Sequence, residues 1–417
     1  MGGQSQEALH RGVILQLLRQ PTNRVLSNNG TLRMFCCLVH FKVVKVGLRY
    51  PGPNPGDLMI QSVAVIGAGN GGKAAAADMA LQGVQVRLFE FPEYRSNIDE
   101  LAQTRRLQCT GAIEGEAELA LVTTDLAAAV DGADVLMVCT QALAHERIAR
   151  ELAPLVRPEQ LVVLNPGSTG GSLLVARVFR ELGVQNMPVL SEFSTLTYGC
   201  RAQATSVNVG VKVAYLTWAT LPASAIDHWG PPLEALFPGL ARVQNVLEAG
   251  LNNANPIIHP PVALLNAARF EKQGAQMFFY KDGVSPAVAD LIRLLDEERM
   301  ALQTALGGRP QPDPVTCVVQ GYAASEDYLA CYAEGPGFMG FRSPDTLDHR
   351  YWHEDMGMGL VFYCSLGELL GVPTPVSRAI VAMGSIVTGV DYLAEGAKTL
   401  ATLGLDGLSP SELLAAL

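Results

Sequence analysis

The sequence has no uninterrupted apolar run of the roughly 18 to 20 residues that a membrane-spanning helix needs. Its two best stretches, 35–48 and 360–372, are broken by His40, Lys42 and Lys45 in the first and by Glu368 in the second. It also has no excess of positive charge. The formal net charge is −10, so a broad basic face for nucleic acid or anionic lipid is not expected. Charged residues make up only 17% of the chain against 49% hydrophobic, which excludes a disordered protein and points to well-buried cores. The eight cysteines, at 36, 37, 109, 139, 200, 317, 331 and 364, form no CxxC pair and show no metal-ligand spacing. No metal is indicated, and buried reduced thiols in a cytoplasmic protein are expected.

With 417 residues the chain is too long for one ordinary core, so two domains are the default. Charge divides it first. Residues 1–58 hold seven Lys/Arg against two acids, a net of +5, leaving the rest at about −15. That segment has no helical or strand period and ends in the breaker cluster PGPNPG at 51–56. It reads as an extension: an upstream start-site artefact with the true start at Met59, a disordered tail, or an acid-poor targeting peptide. From Met59 onward, short apolar runs alternate with helix-length amphipathic stretches, which is how βαβ units read. Strands are expected at 62–66, 85–89, 135–139, 161–165 and 188–190. Helices are expected at 73–82 and 145–155, and a further β-rich stretch at 205–218. Near Gln244 the texture changes to longer helical patterns. The expected organisation is an α/β Rossmann domain over 59–243 followed by a helical domain over 244–417.

Residues 63–77, VAVIGAGNGGKAAAA, give a strand, a G-x-G-x-x-G loop and an alanine-rich helix. The physics of dinucleotide binding asks for this order. Gly67 permits the tight turn, Gly69 lets the backbone approach a pyrophosphate, and Gly72 lets helix and strand pack closely. The whole loop, Gly67, Ala68, Gly69, Asn70, Gly71 and Gly72, is therefore the candidate cofactor cradle. An isolated glycine motif is weak evidence. Here a strand precedes it, a helix follows, and an acid, Glu90, closes the next strand eighteen residues after Gly72. Glu90 is placed to accept from a ribose 2′-hydroxyl and to repel a 2′-phosphate, favouring NAD(H). Arg87 and Arg95 nearby keep NADP(H) as the alternative. The loops at 140–145 and 166–171 follow later strands, at the sheet edge where nicotinamide and substrate lie in such folds.

Two polar clusters stand out in the helical half. The first is NPIIHPPVALLN at 255–266, where Pro256 precludes a helix before it and Pro260 and Pro261 suit the first turn of one after it. His259 would then stand at a helix entrance. The second is DHRYWHEDM at 348–356. A dehydrogenase acting on a carbonyl or imine needs a group near neutral pKa to move a proton, a guanidinium to grip a carboxylate, and often an acid to orient the histidine. The two clusters contain all three. Each also has a plainer reading: His259 as a structural cap, Arg350 with Glu354 as a solvated i,i+4 pair, and His349 and His353 as surface residues. His145 fits a packed or capping residue and His228 fits loop structure. An apolar stretch such as 360–370 suits either core or a homodimer face.

At these clusters the chain resembles the octopine/nopaline (opine) dehydrogenase family, over nearly everything after Met59. Four segments carry the resemblance in order: the glycine loop, EFSTLTYGCR at 192–201, NPIIHP with LLN at 255–266, and HRYxxED at 349–355. The resemblance implies an all-helical second domain related to that of 6-phosphogluconate dehydrogenase. It also implies NAD(P)H-dependent reductive condensation of an amino acid with an α-keto acid. By the same resemblance His259 is the general acid/base, Asn255 its polar partner, Arg350 the carboxylate-binding residue and Asp355 the acid that orients the histidine. Gln141 would contact substrate, and Thr169 would line the nicotinamide or keto-acid end. Two other classes stay open at this point: a ketopantoate or 2-hydroxyacid type of reductase, for which Glu271 and Lys272 stand in an unmatched context, and a non-catalytic dinucleotide-binding protein.

Overall fold

The computed structural model describes residues 59–417 apart from Ala397. The reading of 1–58 as an extension lies outside the described residues. Twelve strands follow in chain order: β1 Ser62–Ile66, β2 Gln85–Phe89, β3 Arg106–Gly111, β4 Gly115–Glu118, β5 Leu121–Thr123, β6 Val135–Val138, β7 Leu161–Leu164, β8 Val189–Phe193, β9 Tyr198–Ala202, β10 Ser206–Lys212, β11 Leu216–Leu221 and β12 Leu240–Arg242. Eight of them form one sheet in the order β12-β11-β8-β7-β6-β1-β2-β5. All its pairings are parallel except β8 with β11.

The chain leaves β1 toward β2 and β5 on one side and returns to β6, β7 and β8 on the other. This reversal opens a crevice between the C-terminal ends of β1 and β6, the place where such sheets bind ligands. β1, β6 and β7 are buried along their whole length, as expected of continuous apolar strands covered on both faces. Period-two alternation sorts their side chains: Ala64 and Ile66 face one core, Val63 and Val65 the other. The first core takes in the helices His145–Leu152 and Gly171–Glu181 and runs on without a break into the helical half. The second packs the helix Asn70–Leu81 and a small sheet ordered β4-β3-β10-β9.

Strands β1 and β2 have the bounds expected from sequence, and β6 and β7 fall one residue short of theirs. The 188–190 strand is longer, Val189–Phe193, because Ser191 and Glu192 continue the ladder with Val163 and Leu164. The β-rich stretch expected at 205–218 becomes β10 and the start of β11, but the small sheet that β10 joins, with β3, β4 and β9, was not foreseen. Its β3 pairs in parallel with β10 nearly a hundred residues later, burying Leu107, Cys109, Val207 and Val209 behind an exposed polar face. After β12 no further strand occurs among the described residues; helices follow from Val246–Leu251 to Pro410–Ala415. Residues 360–367 are core: Leu360, Val361, Phe362, Tyr363 and Leu366 are all buried within the chain, so the dimer-face alternative for that stretch is set aside. None of the described helices is long and apolar enough to cross a membrane.

Candidate active site

The glycine loop has the geometry its motif demands. Gly67 sits at φ +99°, a conformation that costs glycine nothing, and an added Cβ there would meet Cys139 O at 2.9 Å. A Cβ on Gly72 would lie 1.7 Å from Gly67 O, so the first turn of Asn70–Leu81 can pack on β1 only without a side chain. Gly69 meets nothing within 4 Å, leaving its backbone open to a phosphate group at the helix N-terminus. A cavity lined by Ala68, Gly69, Asn70, Lys73, Ser96, Asn97 and residues 202–204 opens from this loop. The Glu90 carboxylate is buried beneath it, accepting from Ala68 N (3.1 Å), Phe91 N (2.9 Å) and Asn97 Nδ2 (3.0 Å). A carboxylate has about four acceptor positions, so these three donors leave one for a ribose hydroxyl. The residues present therefore fit a dinucleotide.

Neither arginine considered for a 2′-phosphate lines this cavity. Arg95 pairs with Asp99 on the surface, and the Arg87 guanidinium lies against Gly132. The cation that does line it is Lys73, which donates to Gln203 O (2.6 Å) and Ala204 O (2.9 Å). Its pKa is lowered by burial, with Glu90 opposing the shift.

In the helical half, His259 stands in the second turn of the helix Asn255–Leu265, not at a helix entrance. The helix begins a turn earlier than expected because Pro256 takes an N-terminal position that needs no N–H donor. Pro260 and Pro261 then fall inside it. Their missing N–H groups take two donors out of the helical ladder beside His259, a cost tolerated where the surroundings fix the backbone. Asp355 opens a π-helical turn, Asp355–Leu360, that follows the short helix Arg350–His353. Such turns carry one extra residue and re-aim side chains, often at functional sites.

The turn brings Asp355 Oδ2 within 2.7 Å of His259 Nδ1, although 96 residues separate them. Tyr280 Oη lies 2.9 Å from His259 Nε2; because a carboxylate can only accept, a neutral His259 donates Nδ1–H to Asp355 and accepts at Nε2 from the tyrosine. Both His259 and Asp355 are only 2% exposed. Burial lowers the His259 pKa and the Asp355 charge opposes that shift. The Tyr351 ring packs over the imidazole at 4.2 Å between centroids.

Arg350 lies beside this pair, its Nη1 3.5 Å from Glu354 Oε2 and 4.0 Å from Asp355 Oδ2. Its side chain is 29% exposed, so the guanidinium keeps an open edge, and the neighbouring acids hold it as a cation against the cost of burial. The solvated-pair reading is overturned because Glu354 is buried. Its carboxylate accepts from Ala142 N (3.0 Å) and Ser168 Oγ (3.1 Å), the loops after β6 and β7. Burial raises its pKa, and Asp355 adds to the rise.

The remaining candidates divide. Gln141 is exposed at the start of the turn that carries Ala142, at the mouth of the crevice. Asn255 is not the partner of His259, whose two ring nitrogens are taken by Asp355 and Tyr280. It lies one helical turn before His259 on the same face. Thr169 does not line a pocket: it is fully buried and its hydroxyl donates to Gly250 O (2.8 Å). His349 caps its helix through Tyr351 N, and His353 bridges Asp348 and Tyr392. His145 is packed in the core, where burial pushes its pKa down to about 3. Glu271 and Lys272 are exposed and touch none of these groups. Sequence reasoning missed Tyr280, Glu354 as a link between the two halves, and Lys398. A polar Glu next to Asp355 in an apolar domain was the only local signal for any of them.

A nucleotide-cradling α/β sheet apposed to a helical lobe that carries a buried His–Asp pair and a half-open arginine defines an NAD(P)-dependent dehydrogenase. The comparisons narrow the class. Residues 242–388 match the family model described as NAD/NADP octopine/nopaline dehydrogenase, alpha-helical domain, and 62–191 match the NAD-dependent glycerol-3-phosphate dehydrogenase N-terminus. The opine dehydrogenase of Arthrobacter sp. (strain 1C) is 34% identical over 84% of this chain and 98% of its own length. The vitopine synthase of Allorhizobium ampelinum is 28% identical over 86% and 99%. The fold is that of an octopine dehydrogenase solved with NADH and L-arginine, with a TM-score of 0.69 at 19% identity, covering 85% of this chain and 98% of that one. The chain belongs to the octopine/nopaline dehydrogenase family and is an opine-type oxidoreductase acting on CH–NH bonds with a nicotinamide cofactor.

Proposed function

We propose that this enzyme condenses the amino group of an amino acid with an α-keto acid and reduces the resulting imine, with NAD(H) favoured over NADP(H). The observation that carries the reading is the buried His259–Asp355 pair with Arg350 beside it, tied by Glu354 to the loops at the C-terminal edge of the sheet. The nicotinamide, when bound, supplies hydride to the imine carbon. Arg350 grips the keto-acid carboxylate with its open edge, while Glu354 and Asp355 fix the other side of the guanidinium. Amine addition to the keto carbon gives a carbinolamine, and its hydroxyl must leave as water. His259, protonated with the support of the Asp355 charge, gives that hydroxyl its proton from Nε2. Tyr280 meets the same nitrogen and holds it oriented until substrate arrives. Asn255 and Gln141 contact the amino-acid part, and Thr169 serves through its backbone.

The NAD(H) preference rests on Glu90, whose carboxylate faces the ribose end; Lys73 is the cation that a 2′-phosphate would have to recruit. The division into a Rossmann domain over 59–243 and a helical catalytic domain over 244–417 belongs to the same reading. So do a cytoplasmic location, in keeping with six free cysteines among the described residues, and a homodimer, testable by sedimentation.

The deciding experiment crosses a panel of keto acids with a panel of amino acids and follows NADH and NADPH absorbance at matched concentrations. Oxidation that requires both substrates is expected. Full-rate oxidation with keto acid alone would make the enzyme a simple keto-acid reductase, and tight NADH binding without turnover would make it a binding protein.

A further inference from the structure

Lys398 is used by no step above, yet it is wholly buried beside the active site. Its Nζ donates to Ser168 O at 2.6 Å and to Thr169 O at 2.7 Å. Those two carbonyls lie in a run of three successive residues in the left-handed region, Ser168 (φ 51°), Thr169 (φ 56°) and Gly170 (φ 80°). Two of them are not glycine, so the loop persists only because its surroundings hold it. The holders are identifiable: Lys398 on the two carbonyls, Glu192 on Gly170 N (2.8 Å), and Gly250 O on the Thr169 hydroxyl. Among the described residues, the loop's hydrogen bond to the catalytic cluster is that of Ser168 Oγ to Glu354.

We propose that Lys398 is a positioning residue: by pinning the Ser168 and Thr169 carbonyls it keeps the Ser168 hydroxyl on Glu354 and so sets Arg350 and Asp355 against the sheet edge. The charge setting supports this. The charges of Glu192, Glu354 and Asp355 all act on the ammonium, and His145, which also feels it, is neutral. Burial brings the lysine down to about 8, with the three carboxylates opposing the shift. Below about pH 8 it is therefore a cation, and above it the grip on the loop weakens.

A lysine kept only for packing behaves differently from a positioning one. Removing the lysine leaves two buried carbonyls without their donor and nearby carboxylates without their cation, so Lys398→Met is expected to melt lower in either role; what separates the two is catalysis, and a packing role predicts that the folded variant works as before. The proposal predicts that K398M binds NADH within about threefold of the parent while kcat falls about 30-fold, a loss of the size that small misplacement causes. Beyond the fall set by His259 at lower pH, the wild-type rate should fall more steeply as pH rises through about 8, and K398M should lack that added steepening. Ser168→Ala should lower kcat similarly, and the double variant should be no slower than the worse single one, because both cut one chain of contacts. Should K398M fail to fold, S168A alone carries the test.

The assay rests on the reaction proposed above, so a second readout is independent of it. Hydrogen exchange in peptides spanning 140–146 and 166–172 should speed up in K398M. Parental kcat in K398M or S168A, multiplicative losses in the double variant, or unchanged exchange would each overturn the proposal.

Discussion

The two halves of this enzyme build their parts of the site in different ways. The Rossmann half makes its site mostly from backbone: glycine conformations, a helix N-terminus and one carboxylate, all within 30 residues of Met59 or little more. The helical half makes its site from side chains brought together across long stretches of sequence, His259 with Asp355 and Glu354 with Ala142 and Ser168. A backbone site is written locally, since spacing and residue size decide it. A side-chain site is written in packing.

The contrast can be broken most forcefully at His259. Replacing it by alanine should lower turnover by about 10³-fold, in the range that general acid–base catalysis supplies, while NADH fluorescence titration stays parental. Loss of NADH binding in that variant would mean that the halves are not separable. The reciprocal experiment is in the glycine loop. Gly72→Ala places a Cβ 1.7 Å from Gly67 O, so it should unseat the helix and lower both melting temperature and NADH affinity. Gly69→Ala meets no protein atom and should lower NADH affinity with an unchanged melting temperature. Equal melting losses in both would refute the assigned roles.

Arg350→Lys keeps the charge but removes the fork that grips a carboxylate on one side and two acids on the other. It should reduce kcat/KM for the keto acid by roughly 100-fold and leave the NADH KM alone. The smallest effect is the most diagnostic. Burial lowers the His259 pKa and Asp355 raises it, so Asp355→Asn should move it further down. Because the protonated histidine acts in the condensing direction, activity is lost as pH rises through that pKa, and the midpoint in the variant should shift to lower pH. An unmoved midpoint in the pH–rate profile would remove Asp355 from the dyad.

Much of the fold was legible because its strands are short apolar runs with clean breaks. Strands β1 and β2, the glycine loop and the change of texture near Gln244 all follow from local pattern. Of the small sheet, only β10 was legible. β3 is half polar, and its reason to be a strand is β10, distant in sequence. The helix at Asn255 was misplaced by one turn because the rule that puts proline in a first turn was applied to Pro260 and Pro261, while Pro256 was the residue obeying it. Asn255 and Thr169 carried roles that the packing reassigns. His259 has no nitrogen left for Asn255, and the Thr169 hydroxyl is spent on Gly250.

By itself the sequence determined the cofactor cradle and its acid, because a dinucleotide's diphosphate is recognised by chain conformation that only glycine at 67 and 72 allows. It also supplied the histidine, arginine and acid types that the proposed proton transfer and carboxylate grip call for. Which acid meets which histidine, that Glu354 faces inward and locks two loops, and that a lysine near the C-terminus lies beneath them were decided only by the tertiary structure. Those outcomes depend on burial and on distances between side chains far apart in the chain, and no local period encodes either.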